Sequence, residues 1–271
     1  MTYLDDAVQK PAFESLLMVT LLILGLQVQA DDAKPGPQQL EIATYTQAPT
    51  VRIYQLLLKE AYARVGPRVV YHQMPVPRAA KEVSTGSLDG LLMTSRTVDD
   101  DDSLIRIPEP FPTMNFKLMA LKGFSSEALD AKLEGYSVGY IHGIQQLQEQ
   151  FSKADTIAAQ GGYDQLLNLL RRKRVDLIAI GEWDAAAFLL QFDDLKLFKE
   201  PIFPFTVYHV LNSRHRFFAD ELAAALKGAK ADGCFDRIVT HVLNESLQES
   251  HAPRTAPGIA PLSEKDINVC R

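Results

Sequence analysis

The chain is poor in the residues that mark several common classes of protein. It has only two cysteines in 271 residues and no Cys/His spacing typical of a zinc site. It lacks the GxSxG turn of many hydrolases and the glycine-rich loop that binds nucleotide phosphates. With a formal charge of −6, it also lacks the basic excess of a nucleic-acid-binding domain. We therefore expect no metal, no cofactor and no nucleic acid. The composition, 46% hydrophobic and 23% charged, is that of an ordinary soluble globular protein.

The apolar run near the amino terminus is too short to cross a membrane. Residues 16–26 (LLMVTLLILGL) are followed by Val28 and Ala30 at the positions that a signal peptidase reads, whereas a spanning helix needs about 20 apolar residues. This pattern predicts a secretory signal peptide, residues 1–30, cut after Ala30, and hence a periplasmic protein. The segment before the run carries three acidic residues and one lysine. A misassigned start or a retained anchor therefore stays open.

Two stretches of the chain resemble each other. Residues 74–90 (MPVPRAAKEVSTGSLDG) and residues 162–180 (GYDQLLNLLRRKRVDLIAI) each contain a short helix and a turn, then an Asp at the start of an apolar strand. Helix, turn and buried strand form half of a parallel βαβ unit. The repetition predicts two similar α/β lobes with a ligand cleft between them.

Strands and helices alternate along the chain, which predicts an α/β fold with largely parallel sheets. We expect the chain to cross between the lobes near residues 117–122 and to return near residues 201–208, as two hinge strands. The expected division is lobe I in residues 31–120 and 206–248, lobe II in residues 121–205, and a carboxy-terminal tail in residues 249–271.

With its elements in this order, the chain resembles the type 2 periplasmic solute-binding proteins of ABC transporters, and among them the family 3 group, which includes amino-acid binders. The resemblance covers residues 40–242. It implies two lobes that close on a small solute, a membrane permease or sensor as partner, and a monomer, because a mobile cleft needs freedom to close. The matching segments are LLKEAYARVG (57–66), PVPRAAKEVSTGSLDG (75–90), LIRIPEPF (104–111) and LLRRKRVDLIAI (169–180).

Two positions depart from the pattern of the amino-acid binders. Where that group carries an Arg for the ligand carboxylate, this chain has Asp101, and where it carries an Asp for the ligand ammonium, this chain has Gly181. Arg96 and Glu182 stand close enough in sequence to substitute for them. The ligand class is therefore expected to be a small polar or anionic, amino-acid-like solute.

Ligands of open α/β sheets bind beyond the carboxyl ends of the strands, where loops and helix N-termini meet. That rule selects the candidate residues of both lobes. The candidate ligand-binding residues are Tyr45, Gln47, Arg78, Arg96, Phe111, His142, Tyr163, Glu182 and Trp183.

Each candidate in the first half of the chain has a structural alternative. Tyr45 could serve only the turn that follows the first strand. Arg78 opens a helix, where a cation opposes the helix dipole, so it needs an anion: either the ligand or a structural carboxylate such as Glu109. Arg96 offers a planar fork for a carboxylate but could pair with the acidic residues 99–102 instead.

The same holds in the second half of the chain. His142 and Tyr163 lie where strands end and helices begin beside glycines, and exposed amides there favour anions, although tight turns explain the glycines as well. Trp183 could stack on a ligand or simply pack in the core.

The two cysteines allow a disulfide. Cys234 and Cys270 could pair in an oxidising compartment. Alternatively, Cys234 is a buried helix residue and Cys270 a thiol on the tail.

Three functions fit these observations. The first is a non-enzymatic solute-binding protein. The second is a ligand-sensing input protein for a membrane signalling receptor. The third is a dehydratase-like enzyme on the same scaffold, which would need an acid/base pair such as Glu182 with His142.

Overall fold

A computed structural model describes residues 37–45, 48–96, 98, 101–125, 133–250 and 269–270 of the chain. The expected signal peptide, the candidate Gln47 and most of the carboxy-terminal tail lie outside the described residues, as do Asp99 and Asp100 of the acidic loop.

Strands and helices alternate through the described residues, as the sequence predicts. The strands are β1 (Gln39–Thr44), β2 (Arg68–Gln73), β3 (Gly90–Thr94), β4 (Leu104–Arg106), β5 (Met114–Leu121), β6 (Ser137–Ile141), β7 (Asp155–Ala159), β8 (Leu177–Gly181), β9 (Leu195–Phe205) and β10 (Tyr208–Asn212). The α-helices are α1 (Pro49–Val65), α2 (Val76–Ser84), α3 (Gln145–Gln150), α4 (Gly162–Arg171), α5 (Glu182–Gln191), α6 (Ala219–Ala231) and α7 (Cys234–Ser250), and Ser213–Phe218 forms a 3-10 helix.

The strands form two sheets of the same topology. The first sheet has the order β2-β1-β3-β10-β4 and the second has the order β7-β6-β8-β5-β9. In each sheet three parallel strands are followed by a strand that runs antiparallel to them. The antiparallel strand is β10 in the first sheet and β5 in the second. Each is the strand that the chain forms directly after it crosses from the other sheet. The two-lobed α/β fold expected from the sequence is therefore confirmed, with mixed rather than largely parallel sheets.

The chain crosses between the two sheets twice. Strand β4 belongs to the first sheet and β5 to the second, so the outward crossing lies in residues 107–113. This is earlier than the expected crossing at residues 117–122, which mostly fall within β5. The return lies in residues 206–207, between β9 and β10, inside the expected range of 201–208.

Strand β9 contains two prolines. Residues 195–205 form one strand that includes Pro201 and Pro204. Strand β9 lies at the edge of its sheet and, among the described strands, pairs with β5 alone. Edge positions tolerate proline because the missing N–H group is not needed by a neighbouring strand.

The repeated Asp found in the sequence has the same structural role in both sheets. The amide of Glu41 donates to a carboxylate oxygen of Asp89 at 2.7 Å, and the amide of Asp89 donates back to the carbonyl of Glu41 at 2.8 Å. Ser137 and Asp176 make the same reciprocal pair, both at 2.9 Å. Each Asp thereby ties the start of a buried strand, β3 or β8, to the parallel strand beside it.

Helix α1 connects the first sheet to the helices around it. Pro49 stands in its first turn, where proline's fixed φ suits a helix start, and Gly66 follows its end with a φ of 134°. Eleven of its 17 residues are buried, and the helix packs against α5, α6 and α7. Because α5 follows a strand of the second sheet, this packing joins the two halves of the fold.

Cys234 and Cys270 form a disulfide, with their Cα atoms 4.9 Å apart. Cys234 is the first residue of α7, and a guanidinium nitrogen of Arg237 donates to the carbonyl of Cys270 at 3.1 Å. The disulfide therefore holds Cys270 at the start of α7.

Candidate functional site

The loops at the carboxyl ends of the parallel strands bring the two halves of the fold together. Ser95 follows β3 of the first sheet, and its hydroxyl donates to the side-chain oxygen of Gln146, in α3 of the second half, at 3.3 Å. Arg96 follows Ser95 directly and His142 precedes Gln146 by four positions, and both were selected as candidates from the sequence. The Ser95–Gln146 contact therefore brings the segments carrying Arg96 and His142 close to each other.

A second contact between the halves is buried and involves the start of α1. Both the amide and the hydroxyl of Thr50 donate to the carboxylate of Asp184, each at 2.8 Å, and the hydroxyl of Tyr163 donates to the same carboxylate at 2.7 Å. Asp184 lies in the first turn of α5 and is 1% exposed. Burial raises the pKa of Asp184, while the three hydrogen bonds act in the opposite direction. Asp184 thus satisfies donors at the start of two helices, α1 and α4.

Gly181 leaves the room that this carboxylate needs. A Cβ atom on Gly181 would stand 2.9 Å from an oxygen of Asp184 and 3.0 Å from the sulfur of Met114. Both distances are too short for ordinary packing. A glycine before α5 is therefore a requirement of the buried contact.

Aromatic side chains fill the space beside Asp184. The ring of Trp183 meets the ring of Tyr54 edge-on at a centroid distance of 5.7 Å and that of Phe235 at 5.5 Å. Phe111 is 1% exposed and lies 4.6 Å from the ring of Tyr54. The hydroxyl of Tyr54 donates to the carbonyl of Pro112 at 2.8 Å. These contacts pack α1, the first crossing and α5 against one another.

Four candidates selected from the sequence have partners within the fold, and Phe111 alone of them is fully buried. Phe111 and Trp183 are packing residues, and the phenol of Tyr163 is committed to Asp184. The carboxylate of Glu182 accepts from the amide of Asn115 at 2.7 Å and from its side-chain nitrogen at 3.2 and 3.3 Å. These contacts account for the four side chains without a ligand, so their role as ligand contacts stays a prediction.

Arg78 is also explained without a ligand. Its guanidinium donates to Glu82 of the same helix at 3.3 Å, and 68% of its side chain is exposed. Glu109, the alternative partner considered from the sequence, pairs with Lys230 instead. An exposed pair of this spacing is worth little stability.

Tyr45, Arg96 and His142 remain at the loops. The hydroxyl of Tyr45 donates to the carbonyl of Met93 at 2.8 Å. Burial raises the pKa of Tyr45 to about 12, and the nearby positive charge of Arg96 opposes that rise. Arg96 and His142 are exposed. The guanidinium and the imidazole are groups that can hold a small anion, whereas the phenol of Tyr45, whose hydrogen is donated to Met93, can offer a solute only its ring and an acceptor oxygen.

Two residues of this region, Thr50 and Asp184, were not found from the sequence. Asp184 stands in the first turn of a helix, where an acidic residue usually stabilises its own helix. Its partner Thr50 lies 134 positions earlier. Local sequence patterns do not reveal a contact between residues that are so far apart in the chain.

The described part of the chain contains a surface hollow but neither a metal-binding cluster nor a membrane-spanning helix. Among those residues, no group of three or more His, Cys, Asp or Glu side chains could hold a metal ion. No helix in the same residues is both long and apolar enough to span a bilayer. A surface hollow is lined by α4 and the residue that follows it, through Gln165, Asn168, Leu169 and Arg172. Because no second element encloses it, this hollow is a poor site for a small solute.

Comparison with solved structures identifies the architecture. An amino-acid ABC transporter substrate-binding protein from Streptococcus pneumoniae bound to L-arginine matches with a TM-score of 0.62 and 16% identity over 78% of this chain and 96% of that chain. This chain has the two-lobed fold of such binding proteins. That confirms, at the level of the fold, the resemblance found in the sequence.

Two further structures support the same fold. A mutant arginine-binding protein from T. maritima matches with a TM-score of 0.63 and 14% identity, over 76% of this chain and 96% of that chain. The VFT2 domain of BvgS from Bordetella pertussis matches with a TM-score of 0.62 and 14% identity, over 75% of this chain and 93% of that chain. No protein-family model matches the sequence, and no curated protein matches it.

Proposed function

We propose that this protein is a non-enzymatic solute-binding protein that captures a small polar or anionic, amino-acid-like solute between its lobes for an ABC-type transporter. The observation that carries the proposal is the meeting of the two halves at Ser95 and Gln146, beside Arg96 and His142. Two crossings of the chain between the sheets would serve as the hinge. Lobe closure around such groups is the usual means by which a two-lobed protein holds its ligand.

The sequence predicts lobe I in residues 31–120 and 206–248 and lobe II in residues 121–205. Because β5 belongs to the second sheet, we place the first boundary near residue 113 instead. Of the sequence-selected residues, Tyr45, Arg96 and His142 are the proposed ligand contacts, with Gln47 as a further candidate. The protein would be exported by the signal peptide of residues 1–30, act in the periplasm as a monomer, and deliver its solute to a membrane permease.

A sensing role is the second candidate. The likeness to the VFT2 domain of BvgS supports it, since the same fold occurs there. In that case the partner would be a membrane signalling receptor rather than a permease. The dehydratase-like alternative has less support, because Glu182, half of its acid/base pair, is hydrogen-bonded to Asn115.

A thermal-shift screen of residues 31–271 tests the proposal, using amino acids, dicarboxylates, polyamines and small peptides. A ligand present at one hundred times its Kd stabilises the folded state by about 2.7 kcal/mol. We expect one chemical class to raise the melting temperature by about 5 °C or more. A well-folded sample that responds to none of these solutes would contradict the proposed function.

The variant Arg96→Ala identifies the site in the same assay. We expect it to abolish the shift, whereas Arg78→Ala, which removes an exposed Arg engaged with its own helix, should retain it. A ligand-induced shift that survives Arg96→Ala would show that the solute binds elsewhere.

A further inference from the structure

We propose that the Thr50–Asp184 contact is a third connection between the lobes, beside the two crossings of the chain. It stays closed while the lobes part at Ser95 and Gln146. This inference rests on the proposed function, because it takes the two halves to be lobes that move. It narrows their movement to a rotation that opens one side of the molecule and leaves the other side packed.

The start of α1 depends on the other half of the fold for its capping. Ala48 stands at the N-cap position without a side-chain hydrogen bond, and the first turn contains no acidic residue. The amide of Thr50 is one of the first helical amides, which have no acceptor within their own helix. Asp184 of α5 supplies an acceptor at 2.8 Å and also accepts from the hydroxyl of Thr50. Loss of the contact would therefore remove the cap of α1.

Parting the lobes at this contact would be costly. Thr50 and Asp184 are 3% and 1% exposed, and their separation would take two of the three hydrogen-bond donors from a buried carboxylate. The rings around them would separate as well, since Trp183 of α5 meets Tyr54 of α1 and Phe235 of α7. A buried charge without partners and newly exposed aromatic surface both oppose such a movement.

The contact lies close to the outward crossing of the chain. A Cβ atom on Gly181 would stand 2.9 Å from an oxygen of Asp184 and 3.0 Å from the sulfur of Met114, so these two side chains are neighbours. Met114 begins β5 directly after the crossing, and the hydroxyl of Thr113 bonds to that of Thr206, in the return crossing, at 2.9 Å. Groups near a rotation axis move least. A rotation at the two crossings can therefore spare the buried contact.

The side of Ser95 and Gln146 is held more weakly. Both side chains are half-buried, and the hydroxyl of Ser95 donates to the neutral amide oxygen of Gln146 at 3.3 Å. Such a bond adds little net stability, because water satisfies both groups when it breaks. Arg96 follows Ser95, His142 stands four positions before Gln146, and both are exposed. The lobes therefore part here and admit a solute to these groups.

Hydrogen exchange of the Thr50 amide tests whether the contact stays closed, with the amide of Arg52 as the matched control. Both amides lie at the start of α1, but Arg52 donates to the nearby carbonyl of Ala48 at 2.9 Å, whereas Thr50 donates to Asp184 in the other half. We expect the two amides to exchange within about tenfold of each other in NMR spectra of the oxidised protein. A Thr50 amide that exchanges faster than this, relative to Arg52, shows that the contact opens without unfolding of the helix and overturns the inference.

The variant Ser95→Ala tests whether the lobes part on the other side. Nitroxide labels at Lys81→Cys in α2 and Gln148→Cys in α3 report the separation of the halves, since both positions are exposed and the native cysteines are paired. Pulsed EPR of the ligand-free protein should show a population of longer distances that Ser95→Ala enlarges about two- to tenfold, the effect of one lost hydrogen bond. Ser87→Ala, at an exposed serine between α2 and β3, should leave that population unchanged.

The exchange ratio of Thr50 to Arg52 should be the same in Ser95→Ala as in the parent protein. A ratio that rises together with the population of longer distances would mean that both contacts open at once. An unchanged distance distribution in Ser95→Ala would mean that the lobes do not part at this bond. Either result overturns the inference. Because neither measurement uses a solute, both are independent of the thermal-shift screen, which decides whether the protein binds one.

Discussion

Thr50 donates both its amide and its hydroxyl hydrogen to Asp184, so that one carboxylate of the second half of the fold caps the first helix of the other half. The contact is buried and is surrounded by the rings of Tyr54 and Trp183. It therefore joins the two halves independently of any solute. Movement between the lobes, if it accompanies binding, must either spare this contact or break it.

The Thr50–Asp184 contact should contribute measurably to stability. Thr50→Val keeps the shape of the side chain but removes a hydroxyl donor to a buried carboxylate, and we expect a loss of about 1–3 kcal/mol in the free energy of unfolding. Thr113→Val is the matched control, because the hydroxyl of Thr113 bonds to that of Thr206 at an exposed site; its cost should stay within about 0.5 kcal/mol. Urea denaturation measures both. Equal losses in the two variants would mean that the buried contact has no special role.

The two Asp residues of the repeat should differ in their importance. Besides the amide of Glu41, the carboxylate of Asp89 accepts from Arg214 and, at 2.6 Å, from His215. Burial alone would raise the pKa of Asp89, but these hydrogen bonds outweigh it and lower that pKa below its ordinary value of 3.8. The stability that this ionised carboxylate contributes is thus present above its ordinary pKa and is lost as the pH falls further.

Replacement of each Asp by Asn checks this difference. Asp89→Asn should cost about 2–4 kcal/mol at pH 7, because both carboxylate oxygens accept hydrogen bonds and the NH2 group of Asn would face either the amide of Glu41 or the donors of Arg214 and His215. Asp176→Asn should cost at most about 1 kcal/mol, because Asp176 is exposed and the amide oxygen can still accept from Ser137. Comparable costs at the two positions would show that the link between neighbouring strands, and not the charge cluster, is what matters at Asp89.

The sequence predicts the parts of this fold that depend on local patterns. The Asp before each buried strand signals both the strand and the repeat, and Asp89 and Asp176 indeed have the same role. The length of β9 could not be predicted, because Pro201 and Pro204 read as breaks unless the strand is known to lie at an edge. The edge position is decided by the pairing of distant segments.

The candidate site depends less on local patterns, for a different physical reason. Arg96 and His142 follow strand ends, and that position alone makes them candidates. Phe111 and Trp183 are aromatic residues of the kind that stack on ligands, but in this fold their rings pack against those of Tyr54 and Phe235. Aromatic side chains suit both environments, so a single sequence does not separate the two uses.

His209 should make the protein less stable in mild acid. The ring is fully buried; its Nδ1 donates to the carbonyl of Leu91 at 2.6 Å, and its Nε2 accepts from the hydroxyl of Tyr62 at 2.9 Å. Burial lowers the pKa of His209 from 6.5 to about 4. Between these values the unfolded chain binds a proton that the folded protein does not, so stability falls as the pH is lowered.

The expected loss between pH 7 and pH 5 from this residue is about 2 kcal/mol. His209→Asn, whose amide can still donate to Leu91, should show a smaller pH dependence by that amount in urea denaturation. An NMR titration of the folded parent protein gives an independent readout, and the His209 resonances should not shift above pH 5. A titration midpoint near the ordinary histidine pKa would contradict the prediction.

Reduction of the Cys234–Cys270 disulfide should destabilise the protein. The two residues are 36 positions apart, and closing a loop of this size restricts the unfolded chain enough to stabilise the fold by about 2–4 kcal/mol. We expect a reductant to lower the melting temperature of the parent protein to that of Cys270→Ser, and to leave the variant unchanged. Alkylation followed by mass spectrometry should find no free thiol in the oxidised parent protein. A parent protein whose melting temperature ignores the reductant, although both thiols become alkylated, would show that the bond adds nothing to stability. The disulfide would then only hold Cys270 against the start of α7.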